Sequence, residues 1–595
     1  MIYCNLWYLL YGSAVLFMGG FLIMEIKSLY NLWISNANDD KDLISELESI
    51  KDNENEVYER FYRELEFGTA GLRGIIGAGT NRMNIYTVRR TTQGLANFLN
   101  KNYENPSVAI AYDSRIKADL FAKEAARVLA ANGVKAYIST ELQPTPVLSF
   151  AVRELKCQAG IMITASHNPA KYNGYKCYGS DGCQMTDVSA GIVFDEISKL
   201  DYFNDDIKLV SFEDGLEKGS IEWIKDSLYE TYLDNVQKQS VNPGICENSG
   251  LKIVYTPLNG AGNKLVRKIL ARIGVNNVIV VPEQENPDGN FTTCPYPNPE
   301  IKEALALGLE LCEKEQPDLL LATDPDSDRV GIAVKVKDGY RLMSGNETGI
   351  MLMDYILSSR KKNGTLPENP VAVKTIVTSK LVEKICEKYD CELKNILTGF
   401  KYIGEQILLL EQKHEENRYV FGFEESYGYL AGTYVRDKDA VVASMLICEM
   451  AAYYRQQGKS LDDIMNSIYE EYGYYLNRTE SFSFEGAAGM QKMADIMTSL
   501  RNSHPTEIAG YKVTTVSDYL NSFTKSIETG KEDVINLPKS NVLSYSLEGG
   551  GAAIVRPSGT EPKIKVYITS VGKTDDEAKA IAEKMVNAMT QIMGI

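Results

Sequence analysis

The stretch DLLLATDPDSDR, residues 318–329, joins an apolar run to a dense group of carboxylates. The apolar half has the length and composition of a buried β-strand. The polar half follows at once, where open α/β sheets place ligand-binding loops beyond the carboxyl ends of their strands. The pattern predicts an α/β fold with a functional loop at residues 324–329.

The same order of apolar strand and polar loop recurs along the chain. The further examples are SVAIAY (107–112), GIMIT (160–164), LKIVYTP (251–257) and RYVFGF (418–423). Helical patterns follow these loops, and the first of them ends at Gly133, a residue type that commonly stops a helix. The sequence therefore predicts several α/β units in series.

A length of 595 residues corresponds to about four domains at roughly 150 residues each. The pattern breaks near residues 235–250, 344 and 470. These breaks predict domains at residues 40–238, 239–343, 344–470 and 471–595, preceded by an uncharged apolar extension at 1–23. The last part has fewer apolar strands and ends in an amphipathic helix.

Composition excludes several classes of protein. Hydrophobic residues make up 44% and charged residues 24%, a balance typical of soluble globular proteins rather than disordered, collagen-like or polytopic membrane proteins. The net charge of −17 argues against a nucleic-acid partner, although a local basic cluster could still bind a small anion. Ten cysteines without a CxxC pair and three histidines argue against a disulfide framework and a His-rich metal site. We expect a reducing compartment, the cytoplasm.

Residues 1–24 contain no charged side chain and could cross a bilayer as a helix. No Lys or Arg precedes the apolar run, so it makes a poor signal peptide. The alternatives are a membrane anchor, which would hold the protein at the inner face of the membrane, and a gene-model extension with translation starting at Met24. We favour the gene-model extension, with translation starting at Met24. We expect no membrane contact for the rest of the chain.

The acidic loop has the residue types of a metal site. Asp324, Asp326 and Asp328 stand at alternate positions, and a turn could bring all three onto one hard cation such as Mg²⁺ or Ca²⁺. An EF-hand is rejected because Arg329 and Lys335 occupy the positions of its Gly and Glu. A solvated acidic turn is the alternative, but the carboxylates would repel one another unless other groups offset their charge.

Three further loops, and Lys176 in the segment NGYKCYG, have a functional and an ordinary interpretation each. Ser166 in TASHNP could be a nucleophile or a turn residue, and Lys176 could transfer protons or lie on the surface. Glu424 and Ser426 in GFEESYG could bind sugar hydroxyls or form an acidic turn. The loop RPSGTEP could hold a dianion or be a tight turn; its anion-binding groups would be Arg556, Ser558, Gly559 and Thr560. P-loop and dinucleotide-binding motifs are absent from the sequence.

Together, the motifs FGTAGLRG (67–74), TASHNP (164–169), DPDSDR (324–329), GFEES (422–426) and RPSGTEP (556–562) resemble those of the α-D-phosphohexomutases, the phosphoglucomutase/phosphomannomutase family. The resemblance runs from about residue 40 to the end. The motifs look most like the branch of bacterial phosphoglucomutases and phosphopentomutase-like enzymes. Tyr427-Gly428 after the Glu-x-Ser motif counts against the phosphoglucosamine branch.

This resemblance implies four domains around a central cleft, three with mixed α/β sheets and a smaller, mobile C-terminal lid. It implies a phosphoserine at Ser166 and Mg²⁺ held by the three aspartates and that phosphoserine. The remaining implied residues are Arg73, His167, Lys176 and Arg329 for catalysis, Gly399, Glu424, Ser426 and Lys438 for the sugar, and the four residues of the 556–560 loop for phosphate.

The implied reaction converts glucose 1-phosphate into glucose 6-phosphate through a bisphosphate, which also serves as activator. Mannose or pentose phosphates are alternative substrates. A phosphatase that uses the same serine and metal, or a non-catalytic sugar-phosphate binder, would be a different class of protein. The expected partner is a phosphosugar, and the expected state is a monomer or dimer.

Overall fold

The protein is described by a computed structural model over residues 25–67, 71–484, 486–558 and 563–595. The extension at residues 1–23 lies outside the described residues. Within them, no helix combines the length and the apolar character needed to cross a membrane.

Domain I is built on a six-stranded sheet with the order β1-β5-β4-β2-β3-β6. Strands β4, β2, β3 and β6 are parallel, whereas β5 and β1 are antiparallel to their neighbours. The strands are β1 (Gly71–Ile75), β2 (Ser107–Tyr112), β3 (Lys135–Ile138), β4 (Ala159–Ile163), β5 (Tyr172–Gly179) and β6 (Ile221–Trp223).

The helices of domain I begin with α1, described over residues 25–36. The others are α2 (Lys41–Ile50), α3 (Glu54–Phe61), α4 (Ile85–Asn102), α5 (Ala118–Ala131), α6 (Thr145–Glu154), α7 (Asp187–Ile197), α8 (Phe212–Glu217) and α9 (Asp226–Gln237). Gly133 follows α5 with a φ of +74°, which fits the stop signal read from the sequence.

Domain II has a five-stranded sheet with the order β11-β10-β9-β7-β8. Its strands are β7 (Lys252–Thr256), β8 (Asn277–Val280), β9 (Leu319–Thr323), β10 (Val330–Val336) and β11 (Gly339–Met343). The helices are α10 (Gly262–Arg272), α11 (Pro282–Glu285) and α12 (Ala306–Glu315), with a 3₁₀ turn at Lys302–Leu305. Strand β9 is fully buried, as its apolar run predicts.

Domain III has a four-stranded sheet with the order β13-β12-β14-β15. Its strands are β12 (Val371–Thr375), β13 (Glu392–Ile396), β14 (Tyr419–Glu424) and β15 (Gly428–Leu430). The helices are α13 (Gly345–Asn363), α14 (Leu381–Lys388), α15 (Lys401–Glu411), α16 (Ala440–Arg455) and α17 (Leu461–Tyr472), with a 3₁₀ turn at Glu416–Arg418.

Domain IV is an antiparallel sheet flanked by two helices. Its strands are β16 (Tyr474–Ser483), β17 (Glu507–Ile508), β18 (Tyr511–Asp518), β19 (Phe523–Ser526), β20 (Glu532–Val534), β21 (Leu543–Leu547), β22 (Ala552–Pro557) and β23 (Lys563–Gly572). The helices are α18 (Gly486–Asn502) and α19 (Asp575–Met593), with a 3₁₀ turn at Glu548–Gly550. The sheet is richer in strands than the sequence pattern indicates.

Two kinds of core hold the molecule together. One continuous apolar cluster contains Phe150 of domain I, Ile332 of domain II and Val373 of domain III, so these three domains share a core. Domain IV has a core of its own. It meets domain III through a small cluster in which Val377 packs with Val542, Ile554 and Tyr567. Tyr475, in the first strand of domain IV, also packs against the core that the other three domains share.

Candidate active site

The serine loop follows β4 and places the Ser166 hydroxyl against domain II. Ser166 is 4% exposed and has a φ of +52°. Its Oγ donates a hydrogen bond to Asp324 Oδ2 at 2.9 Å and lies 3.2 Å from His167 Nδ1. The two loops singled out in the sequence therefore meet through the side chains of Ser166 and Asp324.

The acidic loop follows β9, and the carboxylate of its first residue, Asp324, accepts hydrogen bonds from the backbone of the same loop. Asp324 Oδ1 accepts the backbone N–H groups of Asp328 and Arg329, both at 3.0 Å. Asp324, Asp326 and Asp328 are buried, and each offers a ligand oxygen within 4.8 Å of the others. The solvated acidic turn is therefore wrong for this loop.

Two lysines offset the charge of the three aspartates. Lys176, on β5, lies 2.9 Å from Asp326 Oδ2, and Lys438 of domain III lies 3.1 Å from Asp328 Oδ2. Asp326 Oδ1 and Asp328 Oδ1 are buried without a hydrogen-bond partner. Buried carboxylate oxygens are costly unless paired, and oxygen donors are what a hard divalent cation prefers. The donor set fits Mg²⁺.

The environment shifts the pKa values of these carboxyl groups in opposite directions. Burial, together with the neighbouring charges of Asp326 and Asp328, raises the pKa of Asp324 well above its usual value. Burial also opposes ionisation of Asp326, but the nearby Lys176 ammonium outweighs it and lowers the pKa of that carboxyl group. Such opposed shifts within one cluster are typical of functional sites.

His167 lies beside Ser166, with its ring Nδ1 near the Ser166 hydroxyl. Burial, followed by the positive charges of Arg329 and Arg73, lowers the pKa of His167 to about 2. Arg73 of β1 reaches the serine loop, with its Nη1 3.4 Å from Asn168 Oδ1. Arg329 forms an ion pair with Glu300 and donates to the Ser426 carbonyl at 3.2 Å. Both predicted arginines therefore lie close to the serine and acidic loops.

The four residues predicted for sugar binding all belong to domain III. Glu424 ends β14, is buried, and accepts the Gly399 N–H at 2.8 Å. Residues 425–427 form a turn, and Ser426 lies in it. Lys438 also contacts Asp437, at 2.9 Å. Burial opposes the charged form of Lys438, but the carboxylates of Asp328, Asp437 and Glu424 outweigh it and raise the pKa of Lys438 above its usual value.

The predicted phosphate loop begins at the end of β22. Arg556 pairs with Lys565 in the register of β22 and β23, and the Ser558 N–H donates to the Lys563 carbonyl at 2.7 Å. Gly559 and Thr560 lie outside the described residues. The described part of the loop forms the base of a hairpin in domain IV.

Several buried polar residues around the site were not predicted. Thr145 Oγ1 donates to Asp326 Oδ2 at 2.9 Å, and Asp437 accepts the Tyr178 hydroxyl at 2.7 Å. Asp113 and Arg115 follow β2, which runs parallel to β4, so the carboxyl ends of both strands lie at one sheet edge. Ligand-binding loops follow the carboxyl ends of parallel strands, and this rule could have identified Asp113 and Arg115. Nothing in the sequence around Thr145 marks it as part of the site.

Comparison with known proteins matches all four parts of the chain to one family. Residues 64–202, 230–338 and 344–472 match the phosphoglucomutase/phosphomannomutase alpha/beta/alpha domains I, II and III. Residues 530–588 match the C-terminal domain of the same family.

Curated relatives and solved structures agree with this match. A phosphoglucomutase of Staphylococcus aureus is 37% identical over 94% of this chain and 98% of its own length. One from Staphylococcus saprophyticus is 36% identical over 92% and 97%. The open form of the Paramecium phosphoprotein pp63/parafusin, a phosphoglucomutase, superposes with a TM-score of 0.66 at 16% identity over 89% of this chain and 96% of its own.

A phosphoglucomutase/phosphomannomutase family protein from Burkholderia thailandensis superposes with a TM-score of 0.62, at 16% identity, over 88% of this chain and 97% of its own. At such identities the two structures support the fold alone, whereas the domain matches and the curated relatives cover most of the sequence. The chain belongs to the phosphoglucomutase/phosphomannomutase family.

Proposed function

We propose that this protein is a phosphoglucomutase, which interconverts α-D-glucose 1-phosphate and glucose 6-phosphate through a phosphoserine at Ser166 and a bisphosphate intermediate. The observation that carries the proposal is the 2.9 Å contact between the Ser166 hydroxyl and Asp324 in a buried triad of aspartates. Glucose is favoured as the sugar because the Staphylococcus relatives bear the name phosphoglucomutase.

Asp324, Asp326 and Asp328 would hold Mg²⁺, and an oxygen of phosphorylated Ser166 would be a further ligand. The unpartnered buried oxygens of Asp326 and Asp328 support this assignment. A bound Mg²⁺ supplies electrostatic stabilisation of the charge on a transferring phosphoryl group.

The first half-reaction forms an O–P bond to the substrate and breaks the one to Ser166. The free 6-hydroxyl of glucose 1-phosphate loses its proton and attacks the phosphorus, and the Ser166 oxygen leaves and is protonated. The resulting glucose 1,6-bisphosphate turns around, and Ser166 then takes the phosphoryl group from C1. The net reaction needs no water, and no phosphate is lost.

Lys176 is the proposed proton carrier, because its side-chain nitrogen lies 2.9 Å from Asp326 Oδ2 in the acidic loop. Arg73 and Arg329 would neutralise the oxygens of the transferring group from two sides, and His167 would orient the Ser166 oxygen. Positioned charges of this kind stabilise a transition state without further reorganisation.

Glu424, Ser426 and Lys438 would bind the sugar hydroxyls, and the N–H of Gly399 holds the Glu424 carboxylate in place. Arg556, Ser558, Gly559 and Thr560 would bind the phosphate that is not reacting. This division is required because one serine and one metal site can process only one end of the sugar at a time.

The proposed domain boundaries remain residues 40–238, 239–343, 344–470 and 471–595, with one functional loop in each. The nine cysteines in the described part of the chain are buried and free, which fits a reducing compartment, and we propose the cytoplasm.

The proposal is tested with the 1-phosphates of glucose, mannose, ribose, deoxyribose and glucosamine, each assayed with Mg²⁺ and a trace of bisphosphate. We expect glucose 1-phosphate to give the highest kcat/KM and a stoichiometric yield of glucose 6-phosphate. Faster turnover of mannose or a pentose would reassign the substrate. Release of inorganic phosphate at the rate of substrate loss would indicate a phosphatase.

A further inference from the structure

The hydrogen bonds around the backbone of Ser166 converge on two residues at the end of β2. The Ser166 N–H donates to Thr164 Oγ1 at 2.8 Å, and that hydroxyl donates to Asp113 Oδ2 at 2.6 Å. The Ser166 carbonyl accepts a hydrogen bond from Arg115 Nη2. Asp113 and Arg115 therefore hold both backbone polar groups of Ser166, one of them through a single hydroxyl.

Arg115 also holds the rest of the serine loop. Its guanidinium donates to the carbonyls of Asn168 (2.5 Å), Pro169 (3.1 Å) and Tyr172 (3.0 Å). With the Ser166 carbonyl, four acceptors face one planar group. Arginine presents five N–H donors in a fixed plane, whereas lysine presents a compact charge with three donors, so lysine could not reproduce this set of contacts.

Arg115 itself is fixed from two sides. Asp113 Oδ1 accepts the Arg115 backbone N–H at 2.9 Å, and Asp113 Oδ2 lies 3.4 Å from Arg115 Nε, with both side chains fully buried. From domain II, the buried ring of Phe291 lies 5.1 Å from the guanidinium. A Cβ at Gly289 would lie 2.7 Å from the Ile116 nitrogen, so the domain II loop packs directly on this segment.

The backbone of Ser166 needs such support. Its φ of +52° lies in the left-handed region, which non-glycine residues adopt only when their surroundings impose it. In this conformation its hydroxyl reaches Asp324 Oδ2 at 2.9 Å. We propose that Arg115, fixed by Asp113, is a positioning residue that holds Ser166 in the left-handed conformation and so presents its hydroxyl to the metal site. This inference rests on the proposed role of Ser166 as phosphoryl acceptor.

The test measures the rate at which Ser166 is phosphorylated in a single turnover with glucose 1,6-bisphosphate and Mg²⁺, by quenching and mass spectrometry of the Ser166 peptide. Arg115→Lys keeps the charge that Asp113 needs. We expect its maximal phosphorylation rate to fall about 10- to 100-fold, because small displacements of a reacting atom have effects of this size. The bisphosphate concentration for half-maximal rate should stay within about threefold, because Arg115 faces the loop backbone rather than the substrate.

Arg89→Lys is the matched control. Arg89 is a buried arginine of the same domain, paired with Glu124 at 2.6 Å, and its hydrogen bonds do not involve the serine loop. Arg89→Lys should lower the Tm as Arg115→Lys does and leave the phosphorylation rate per folded molecule unchanged. If Arg115 had only a structural role, both variants would show a lower Tm and an unchanged phosphorylation rate. That result would overturn the inference.

Asp113→Asn decides the question if Arg115→Lys does not fold. It removes the carboxylate charge that pairs with the Arg115 guanidinium and keeps an oxygen that can accept the Arg115 backbone N–H. A slower phosphorylation rate with an unchanged half-saturating concentration would support the inference, and a wild-type rate would overturn it. If wild-type protein formed no phosphoserine at Ser166, the proposed function would fail instead, before any variant was compared.

Discussion

At the level of single residues, Asp324, Asp326 and Asp328 are buried with their oxygens within 4.8 Å of one another. Lys176 and Lys438 offset the repulsion between the three carboxylates, although they are distant in the chain and reach the cluster only where three domains meet. The charge balance of the site is therefore a property of the assembled cleft.

The first prediction concerns Asp326→Asn, which removes one negative charge from the cluster. We expect the Mg²⁺ concentration for half-maximal activity to rise, because a hard cation is held mainly by anionic oxygens. A Mg²⁺ titration of the mutase assay measures this. Asp338→Asn, in the exposed turn between β10 and β11, is the control and should titrate like the wild type. An unchanged Mg²⁺ requirement in Asp326→Asn would argue against a metal at this site.

The second prediction concerns the pH dependence of stability at Glu425. Burial, then the nearby charge of Glu424, raises the pKa of Glu425 to about 7, and its Oε2 lies 3.2 Å from Thr375 Oγ1. Because the folded state holds a proton that the unfolded state releases, this group's contribution to stability falls as the pH rises from about 4.5 to about 7.

Glu425→Gln cannot ionise, so we expect a higher Tm than wild type at pH 8 and no such gain at pH 5. Thermal unfolding at the two pH values measures this. Glu303→Gln, at an exposed position, should show no difference between the two conditions. An equal change at both pH values for Glu425→Gln would show that the effect comes from hydrogen bonding rather than from ionisation.

At the level of elements, the apolar runs predicted β2, β4, β7, β9 and β14 to within one or two residues, because these strands are buried on both faces. Strands β16 to β21 were not predicted. Several of them alternate exposed and buried positions, as β18 does, or are largely exposed, as β20 is. Because they contain many polar residues, they lack the continuous apolar run by which the other strands were recognised.

The third prediction concerns the contact between α13 and β14. A Cβ at Gly349 would lie 2.1 Å from the ring of Phe423, which is fully buried and precedes Glu424. Gly349→Ala should therefore destabilise the protein by about 1–3 kcal/mol, as overpacking of a core does, and should raise the KM by displacing Glu424. Denaturant unfolding and steady-state kinetics measure the two effects.

Gly191→Ala is the control for this substitution. Gly191 lies in α7, and a Cβ there would meet open space. It should gain about 0.5–1 kcal/mol from the higher helix propensity of alanine and keep wild-type kinetics. Equal stability changes in the two variants would contradict the account of α13 packing.

At the level of the whole molecule, three domains share one apolar core, whereas domain IV has a core of its own and packs against domain III. The motifs predicted that each quarter of the chain contributes one loop. They could not predict the unequal packing, because a core shared by three sheets depends on contacts between segments hundreds of residues apart.

The fourth prediction concerns Arg556→Ala in domain IV. A charge-assisted contact to a phosphate contributes about 1.5–3 kcal/mol, so kcat/KM should fall about 10- to 100-fold in both reaction directions. Turnover should also depend more strongly on added bisphosphate, because the intermediate escapes more often. Initial rates in both directions, with and without bisphosphate, measure this.

Phosphorylation of Ser166 by excess bisphosphate should still occur in Arg556→Ala, because the metal half of the site is untouched. Arg478→Ala, which removes a half-exposed ion pair with Glu583 in the same domain, should behave like the wild type. Loss of phosphorylation with unchanged substrate affinity would place Arg556 in the chemical step instead.

The most direct test of the account follows the phosphoryl group itself. Protein carrying ³²P on Ser166 is mixed with unlabelled glucose 1-phosphate and Mg²⁺, quenched within a single turnover, and its products are separated. We predict that the label leaves Ser166 and appears in glucose 1,6-bisphosphate and then in glucose 6-phosphate, and that Ser166→Ala takes up no label. Label that remained on the protein during turnover, or was released as inorganic phosphate, would contradict a phosphoserine mutase.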